Sequence, residues 1–318
     1  MKNIYLNIYK PNLSNLKKAK ISIENNSVIG LPTETVYGLA ANAYSDKSVE
    51  KIYNFKKRPL TNPLIIHFYN LEQLKRDVIF NEHFLKLHKA LCPGPITFIL
   101  NRNPKSQISK KAMSGKKTVA VRFPKHPVAR KLLKILNTPL AAPSANISSK
   151  LSPTSAADVM DEFKGKVKFI LDGGKCKIGL ESTIIDLTRK PTILRQGYIT
   201  SKKIYRILGI KILINQKPKA IKSPGQQKIH YSPGIPVYTN KKQAKKNGAF
   251  ISFGKKFKSA KNIFNLSKKN NLNEAANKLY STMRIIRKLK YKSISVCKIP
   301  NSGLGLAIND RLKKASNK

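Results

Sequence analysis

The stretch KKRPLTNPL at Lys56–Leu64 decides much of the fold and of the site. It follows a helical pattern, and its two prolines, which cannot continue a helix, hold it apart as a loop. Three cations and an amide fall within its first seven residues, and such groups bind anions through charge-assisted hydrogen bonds. A second segment, PSAN at Pro143–Asn146, places a hydroxyl and an amide two residues apart after an apolar run. Together the two segments predict a site for a phosphorylated small molecule.

The length of the chain, 318 residues, predicts about two domains with a substantial core. Its apolar runs, such as Pro95–Leu100, have the length of strands, and Met1–Tyr5 lacks the apolar core of a signal peptide. We therefore expect no membrane association and a cytoplasmic location. The three cysteines, Cys92, Cys176 and Cys297, are isolated, a pattern that favours neither a disulfide framework nor a zinc finger.

The formal net charge of +48 is large enough to attract nucleic acids without sequence preference. However, only eleven of the 63 basic residues are arginines, and the lysines are spread along the whole chain beside abundant asparagine and isoleucine. That distribution is typical of a codon bias. We interpret the lysines as solvated faces of the protein, and expect at most weak, nonspecific RNA binding.

Hydrophobic periodicity predicts an α/β domain over residues 1–210. Short apolar runs bounded by turn residues predict strands, at Val28–Pro32, Leu64–Phe68, Thr97–Leu100, Val119–Phe123, Leu140–Ala142, Phe169–Asp172 and Ser182–Asp186. Between and after them lie helical patterns, at Ser48–Asn54, Glu82–Leu91, Val128–Leu136, Thr154–Phe163 and Ser201–Leu208.

A region rich in proline and glycine, residues 211–236, predicts a linker. Within it, Ile229–Pro233 (IHYSP) carries more groups able to make contacts than a passive tether needs. Residues 237–318 predict a small α/β domain, because strand patterns at Gly248–Phe253 and Ile294–Cys297 flank a long helical pattern from Asn273 to about Leu289.

Several well-known chemistries are excluded by the motifs. The chain has no Gly-x-x-x-x-Gly-Lys-Ser/Thr phosphate loop, no His-Glu-x-x-His, no Gly-x-Ser-x-Gly and no His/Cys cluster with the spacing of a metal site. The segment GLGLA at Gly303–Ala307 lacks the third glycine and the preceding strand of a dinucleotide fingerprint. It predicts the start of a helix instead.

The remaining polar motifs of the first domain resemble those of the YrdC-like family of threonylcarbamoyl-AMP synthases. The resemblance runs from about Val28 to Gly197 and rests on the order of several motifs, namely Pro32–Leu39, Lys56–Arg58, Asn62–His67, Thr118–Arg122, Pro143–Asn146, Ser152–Thr154 and Glu181–Asp186. The longer, two-domain subtype is similar also in its linker, from Ser223–Gly225 to His230–Pro233, and in the stretch Gly303–Leu312.

The resemblance implies a twisted mixed sheet with helices around a concave basic cleft, followed by a small Rossmann-like β/α domain. It implies that threonine and bicarbonate form a carbamate, which attacks the α-phosphate of ATP to give threonylcarbamoyl-AMP and pyrophosphate. The product serves the threonylcarbamoyladenosine modification of tRNA next to the anticodon, and a separate transferase partner performs that second step. Such chemistry needs positioning and charge neutralisation more than a nucleophile from the protein.

The resemblance also implies the roles of individual residues. The catalytic set is Lys56, Arg58, Ser144 and Asn146. The ATP contacts are Arg58, Asn62, Thr118, Ser144, Ser152, Arg195 and Tyr231, the last reaching into the nucleotide site from the linker as a lid. The threonine pocket is Thr35, His67, Arg122, Ala142 and Ser182, with Arg122 as the carboxylate clamp.

Two positions depart from the family pattern: Gln196 stands where proline is common, and Ala40 where glycine is common. Mg²⁺ is expected with ATP and held mostly by its phosphates, because magnesium takes few protein ligands. No residue is predicted as a direct metal ligand, although Glu34 and Glu181 are candidates to assist.

Two other functions stay open. The first is a tRNA- or double-stranded-RNA-binding protein of the same fold without synthase activity, which would not need a complete threonine pocket. The second is a carbamoyl-transfer component of hydrogenase maturation, but such proteins add zinc-binding cysteine pairs that this sequence lacks.

Overall fold

Two β-sheets, one for each half of the chain, organise the protein. The computed structural model describes residues 6–215, 230–257 and 260–316. The Ser223–Gly225 part of the expected linker motif lies outside these residues, whereas His230–Pro233 lies within them. No helix in the described ranges is long and apolar enough to cross a membrane.

The larger sheet contains eleven strands among the described residues. They are β1 (Ile8–Tyr9), β2 (Ile29–Leu31), β3 (Gly38–Asn42), β4 (Ile65–His67), β5 (Ile96–Asn101), β6 (Thr118–Arg122), β7 (Leu140–Ala141), β8 (Ile170–Leu171), β9 (Thr183–Asp186), β10 (Thr192–Arg195) and β11 (Leu213–Ile214). Their order across the sheet is β1-β8-β2-β3-β7-β4-β6-β5-β9-β10-β11. Parallel pairs such as β4·β6 and β5·β9 alternate with antiparallel pairs such as β5·β6 and β9·β10, so the sheet is mixed.

Helices pack on this sheet, and the core lies between the helices and the strands. They are α1 (Leu13–Glu24), α2 (Asp46–Lys56), α3 (Leu71–Leu74), α4 (Glu82–Leu91), α5 (Pro127–Leu136), α6 (Ala156–Phe163) and α7 (Ser201–Leu208). Apolar faces of α2, α4 and α6 pack in one cluster with the central strands, and α1 packs with α5 against β2, β3 and β7 in another. Burial of these stripes, at about 25 cal/mol per Å² of apolar surface, is the main force that fixes the helices on the sheet.

The smaller sheet has the order β12-β15-β13-β14 and is parallel throughout its described pairs. Its strands are β12 (Val237–Tyr238), β13 (Ala249–Ser252), β14 (Ile263–Asn265) and β15 (Ile294–Val296), and its helices are α8 (Leu272–Lys288) and α9 (Gly305–Ser316). Four residues from outside this domain join its apolar core, namely Val36, Leu151, Leu180 and Tyr231. The two halves of the chain therefore share buried surface.

The fold class expected from the resemblance, a twisted mixed sheet with helices plus a small Rossmann-like β/α domain, is confirmed as a mixed α/β fold. Sequence periodicity did not indicate several short elements, nor α1, β3 and β10. The limits of the domains stay a prediction, but β11 pairs with β10 in the first sheet although it follows residue 210.

Candidate active site

One edge of the larger sheet gathers most of the polar residues singled out by the sequence. Strands β4 and β6 end there at His67 and Arg122, which are partners in the parallel register. Strands β5 and β9 begin at the same edge, since Thr97 pairs with Arg122 and Thr183 pairs with Ile96. Ligand sites in α/β proteins usually form beyond the carboxyl ends of strands, where loops bring polar groups together.

The loop Lys56–Leu64 takes its shape from the end of α2. Lys57 adopts the left-handed conformation at the helix C-cap (φ 48°), and the proline at position 59 prevents the helix from resuming. Arg58 then folds back on its own loop: its Nε donates to the Asn62 backbone carbonyl (2.9 Å) and its Nη2 to Asn62 Oδ1 (2.6 Å) and to the Pro63 carbonyl (2.8 Å). Burial lowers the pKa of Arg58 to about 10. The loop thus presents a fixed guanidinium to the cavity.

Lys56 binds the second segment. Its ammonium donates to the backbone carbonyls of Ser144 (2.5 Å) and Asn146 (2.6 Å) and is almost fully buried. Asn146 in turn accepts from the Ser144 hydroxyl (2.5 Å) and donates to the carbonyls of Ile147 and Lys150. We call the two segments, Lys56–Leu64 and Pro143–Asn146, the anion wall. Lys56 fixes the two parts of this wall against each other.

Arg122 also lines the cavity and forms a buried ion pair. Its Nη2 donates to Glu34 Oε1 (2.8 Å) and to the Thr35 hydroxyl (2.8 Å), while its Nε has no partner among the described residues. Glu34 Oε2 also accepts from the backbone amide of Lys125 (3.0 Å). The pair therefore orients a guanidinium that keeps a free donor inside the protein.

His67 and Ser182 complete this side. Burial and the neighbouring Arg122 hold the pKa of His67 well below its usual range, so the imidazole is neutral. Both its ring nitrogens lack a partner within the described ranges, although they are buried. Ser182 shares a hydrogen bond with the Thr97 hydroxyl (2.7 Å) and accepts from Arg195 Nη2 (3.0 Å).

The segment His230–Ser232, which we call the lid, closes the cavity. His230 and Tyr231 line it together with Arg58, His67, Arg122 and Arg195, and the remaining cavity volume is about 30 Å³. That volume holds about one water molecule. The lid is held by the Ser232 amide, which donates to the Ser149 carbonyl (2.8 Å), and by the His230 amide, which donates to the Lys314 carbonyl (3.3 Å).

The structure brings nearly all the candidate residues into contact with this cavity or with residues that line it. Those that line it are Arg58, His67, Arg122, Ala142, Ser144, Arg195 and Tyr231. Lys56, Asn62, Asn146, Thr35 and Ser182 bind residues of that set through the contacts above, and Ser152 donates to Glu181, which also lines the cavity (2.5 Å).

Thr118 is the exception, since it begins β6 and lies four residues from Arg122. At roughly 3.3 Å per residue this is about 13 Å along the strand, on the same face of the sheet. Between them lies a small apolar cluster that contains Ile65, Ala120, Ile184 and Leu194. The structure therefore does not join Thr118 to the polar cavity directly.

Sequence reasoning missed the role of Glu181 as the centre of a buried network. Its carboxylate accepts from Ser152, from the Tyr280 hydroxyl (3.1 Å) and from Arg311 Nε (3.0 Å). Burial raises its pKa, but Arg311 and Arg195 more than offset that effect and lower it to about 2. The one signal of this role in the sequence was Arg311, in the stretch Gly303–Leu312, which stands out because arginine is scarce in this chain.

The acids at the site do not suit a metal held by the protein. Within residues 6–215, 230–257 and 260–316, no group of three or more His, Cys, Asp or Glu side chains could hold a metal ion. Glu34 is taken by Arg122 and Glu181 by Arg311. The described side chains thus do not fit a dedicated magnesium site.

Comparison with known proteins agrees with this architecture. The family model Sua5_yciO_yrdC, described as telomere recombination, matches residues 22–197, and the model of the threonylcarbamoyl-AMP synthase C-terminal domain matches residues 199–317. The threonylcarbamoyl-AMP synthase of Pyrococcus abyssi is 37% identical over 92% of this chain and 92% of its own length. That of Bacillus subtilis is 35% identical over 95% of this chain and 92% of its own length. The crystal structure of P. abyssi Sua5 complexed with L-threonine aligns with a TM-score of 0.88 and 33% identity, over 97% of this chain and 96% of the other.

The fold defines a two-domain α/β protein. Its cavity is lined by arginines and is covered by the segment between the two domains. Given the matches to both domain models, the chain belongs to the Sua5–YciO–YrdC family, in its two-domain form.

Proposed function

We propose that this chain is an L-threonylcarbamoyladenylate synthase, a nucleotidyltransferase that makes threonylcarbamoyl-AMP and pyrophosphate from L-threonine, bicarbonate and ATP. The names of the relatives aligned over more than nine-tenths of both chains support this activity. So does the aligned structure, which is a complex with L-threonine.

The observation that carries the proposal is a single cavity with two different anion sites. Arg122 lies on one side and keeps its buried Nε free, whereas Arg58 and Arg195 line the same cavity. Guanidinium groups bind carboxylates and phosphates in fixed geometry. A substrate carboxylate and a nucleotide phosphate can therefore be held next to each other here.

The threonine side provides a partner for each polar group of the amino acid. Arg122 binds the carboxylate, and the hydroxyls of Thr35 and Ser182 and the backbone at Ala142 lie around it. The neutral His67 has one donor and one acceptor available, because neither nitrogen has a partner among the described residues. A site built to pair a hydroxyl discriminates strongly against analogues that lack it.

The nucleotide side follows the anion wall. Arg58 and Ser144 face the phosphates, Asn62 fixes Arg58, and Lys56 with Asn146 holds the wall in shape. Ser152 and Arg195 act beside this wall, through their hydrogen bonds to Glu181 and Ser182.

Thr118 remains a proposed ATP contact because ATP is an extended ligand. We propose that the base lies along the apolar strip of Ile65, Ala120 and Leu194 between Thr118 and Arg122, which is buried in this structure.

The reaction proceeds in two steps. The amine of threonine takes up the carbon of bicarbonate to form a carbamate, and water leaves. A carbamate oxygen then attacks the α-phosphorus of ATP, and the bond to the β,γ-pyrophosphate breaks. The arginines neutralise the developing charge, and exclusion of water protects the carbamate and the mixed anhydride.

Mg²⁺ is proposed to enter with ATP and to be held by the phosphates, since the nearby acids are already paired. The product is proposed to pass to a transferase that modifies tRNA beside the anticodon, and both proteins are placed in the cytoplasm with that tRNA.

The test is pyrophosphate release by the purified chain with ATP and Mg²⁺, with threonine and bicarbonate omitted in turn. We expect release only when both are present, and a mass-spectrometric signal of threonylcarbamoyl-AMP. If ATP stays intact while tRNA binds with a steep salt dependence, the synthase function is wrong and the RNA-binding alternative is supported.

A further inference from the structure

One face of the second domain's sheet is covered by a loop. The parallel register pairs Phe250 with Ser295 and with Ile263, and it pairs Ser295 with Tyr238, so these four side chains lie on the same face. The loop that connects β12 to β13 runs over this face, because Lys245 Nζ lies 3.6 Å from the centre of the Tyr238 ring. Parallel sheets usually have helices on both faces, so this face is unusual.

A groove lies between this loop and the strands. Its volume is about 390 Å³, within the roughly 300–1,000 Å³ of sites for small molecules. Its described lining residues include none from α8 or α9 and are mainly Lys242, Gln243, Phe250, Phe257, Asn262 and Ile263. A hollow of about 610 Å³, lined by residues 241–246, adjoins it. We call the two together the second-domain groove.

The groove combines an aromatic surface with polar groups. The rings of Phe250 and Phe257 are in contact, with their centres 5.2 Å apart. Phe250 is buried, whereas Phe257 is half-buried and so presents part of its ring. The amides of Gln243 and Asn262 lie on the same lining. Such a combination suits a flat ring that also carries hydrogen-bonding groups at its edge.

Two buried serines add polar groups without partners to this face. Ser295 pairs with Phe250 in the register and Ser252 lies two residues after Phe250, so both point to the side of the groove. Both side chains are fully buried, and neither hydroxyl has a hydrogen-bond partner among the described residues. Most buried hydroxyls in proteins are paired. A polar ligand that reaches beneath the loop would provide these partners.

The domain around the groove is strongly cationic. Four lysines fall within residues 241–246, and residues 237–273 contain no Asp or Glu. The two acids of residues 237–318 are Glu274 and Asp310, and each pairs with a lysine four residues later on its own helix. A bias towards lysine codons adds cations but does not remove acids. The charge at the groove therefore favours a ligand with several negative charges.

The type of cation indicates the type of anion. The described residues that line the groove include lysines but no arginine. Arginine matches the planar fork of a carboxylate, whereas lysine binds phosphate as a point charge. Several lysines on one loop can surround a chain of phosphates.

We propose that the second-domain groove binds a nucleoside di- or triphosphate, at a site separate from the cavity of the first domain. The base lies against Phe257, with Gln243 and Asn262 at its edge, and the phosphates lie along Lys242 and Lys245. Because the site is formed by the second domain alone, it goes beyond the proposed synthase function and does not depend on it.

The experiment maps nucleotide contacts on the full chain by photo-crosslinking. The probes are 8-azido-ATP and 8-azido-GTP with Mg²⁺ and without threonine, and mass spectrometry identifies the labelled peptides. We expect label within residues 241–263, apart from any label in the first domain. Competition with unlabelled ATP or GTP gives the Kd of the groove, and competition with inorganic tripolyphosphate measures what the phosphates contribute.

Three variants test the assigned contacts. Lys242→Met should weaken labelling of residues 241–263 by about threefold to tenfold, because an ammonium at the phosphates is lost. Phe257→Leu should weaken it by about tenfold, since stacking of the base is lost. Lys268→Met is the matched control, because it removes the same charge from an exposed position of the same domain outside the groove. Pyrophosphate release should keep the parental rate in all three.

The outcomes separate the proposal from its competitors. Label confined to the first domain, or an equal loss in Lys242→Met and Lys268→Met, would refute the site. Tripolyphosphate that competes as well as GTP would leave an anion patch without base recognition and overturn the nucleoside assignment. Single-stranded RNA that binds far more tightly than mononucleotides, with a steep salt dependence, would make the groove an RNA surface instead. Label in the groove of a chain that releases no pyrophosphate would support the site and contradict the synthase function.

Discussion

The anion wall and the lid bound the same cavity but are built in opposite ways. In the wall, Arg58 binds Asn62 four residues away and Ser144 binds Asn146 two residues away. In the lid, Tyr231 packs on Tyr280 and Arg311, which come much later in the chain and belong to another domain. Each segment of the wall is therefore shaped mainly by its own sequence, with Lys56 joining the two, whereas the lid is placed by contacts with another domain.

We therefore expect the wall to take part in the reaction and the lid to control access to the cavity. The wall presents charges that a phosphate needs in every turnover, so changes there should abolish the reaction. The lid can take a closed or an open arrangement, so changes there should shift the population between the two. The following predictions test that division.

The largest effect is expected from Arg122→Met, outside the anion wall. It leaves Glu34 charged and buried without its partner, and should lower the free energy of unfolding by about 3–5 kcal/mol in urea titrations. The double variant Glu34→Gln, Arg122→Met should regain most of the stability but not the affinity for threonine. Equal instability of the single and double variants would show that the ion pair is not the cause.

Arg58→Met in the wall should reduce the rate of pyrophosphate release by about 10²–10³-fold, because a fixed cation at the phosphates is lost. Arg58→Lys should recover only part of this rate, since lysine cannot reproduce the three hydrogen bonds to Asn62 and Pro63. Arg189→Met, at an exposed position, is the control and should keep the parental rate. A decrease below tenfold would contradict the assignment of Arg58.

At acid pH the ratio of molecules with an open lid to those with a closed lid should rise about tenfold. Burial lowers the pKa of His230 to about 3; Arg58, Lys56 and Arg195 add to this effect and Glu181 opposes it. Opening returns the pKa to about 6.5, so the open state takes up a proton that the closed state does not. The closed lid is thus favoured above pH 6.5 and loses stability as the pH falls from 6.5 towards 3. Between pH 7.5 and 5.5 the ratio of open to closed molecules should rise about tenfold.

The pH effect can be followed by fluorescence. The chain contains no tryptophan, so Tyr231→Trp places a single reporter in the lid, whose emission should move to longer wavelength as it becomes exposed. The same reporter in a His230→Gln background should lose this pH dependence. A shift that persists without His230 would assign the titration to another group.

The smallest effect is expected from Lys288→Met. Lys288 pairs with Asp161 across the domains (2.6 Å), but the lysine side chain is 69% exposed. Exposed ion pairs contribute about 0–1 kcal/mol, so stability should change by less than 1 kcal/mol and the Kd for ATP should not change. A loss of stability above 1 kcal/mol, or a changed Kd for ATP, would contradict the small contribution expected of this exposed pair.

Much of the site could be predicted from the sequence because its signals are local. The prolines around Arg58 predict a loop, and the apolar run before Arg122 predicts a strand that ends in a charged residue. Helices such as Glu82–Leu91 and Ser201–Leu208 have the bounds that periodicity predicts. Helix α1 was not predicted because only Leu16, Ala19 and Ile23 of its twelve residues are buried, and lysines dilute its apolar stripe.

The sequence alone determined the α/β class, the second small domain and the two anion-binding segments, since these depend on periodicity and on contacts between near neighbours. Only the tertiary structure decided the pairing of Glu34 with Arg122, of Glu181 with Arg311, and the position of Tyr231 inside the second domain's core. The physical reason is burial, because a charge or ring removed from water needs a partner nearby in space. Burial does not determine how far away that partner is along the chain, and Glu181 and Arg311 are 130 residues apart.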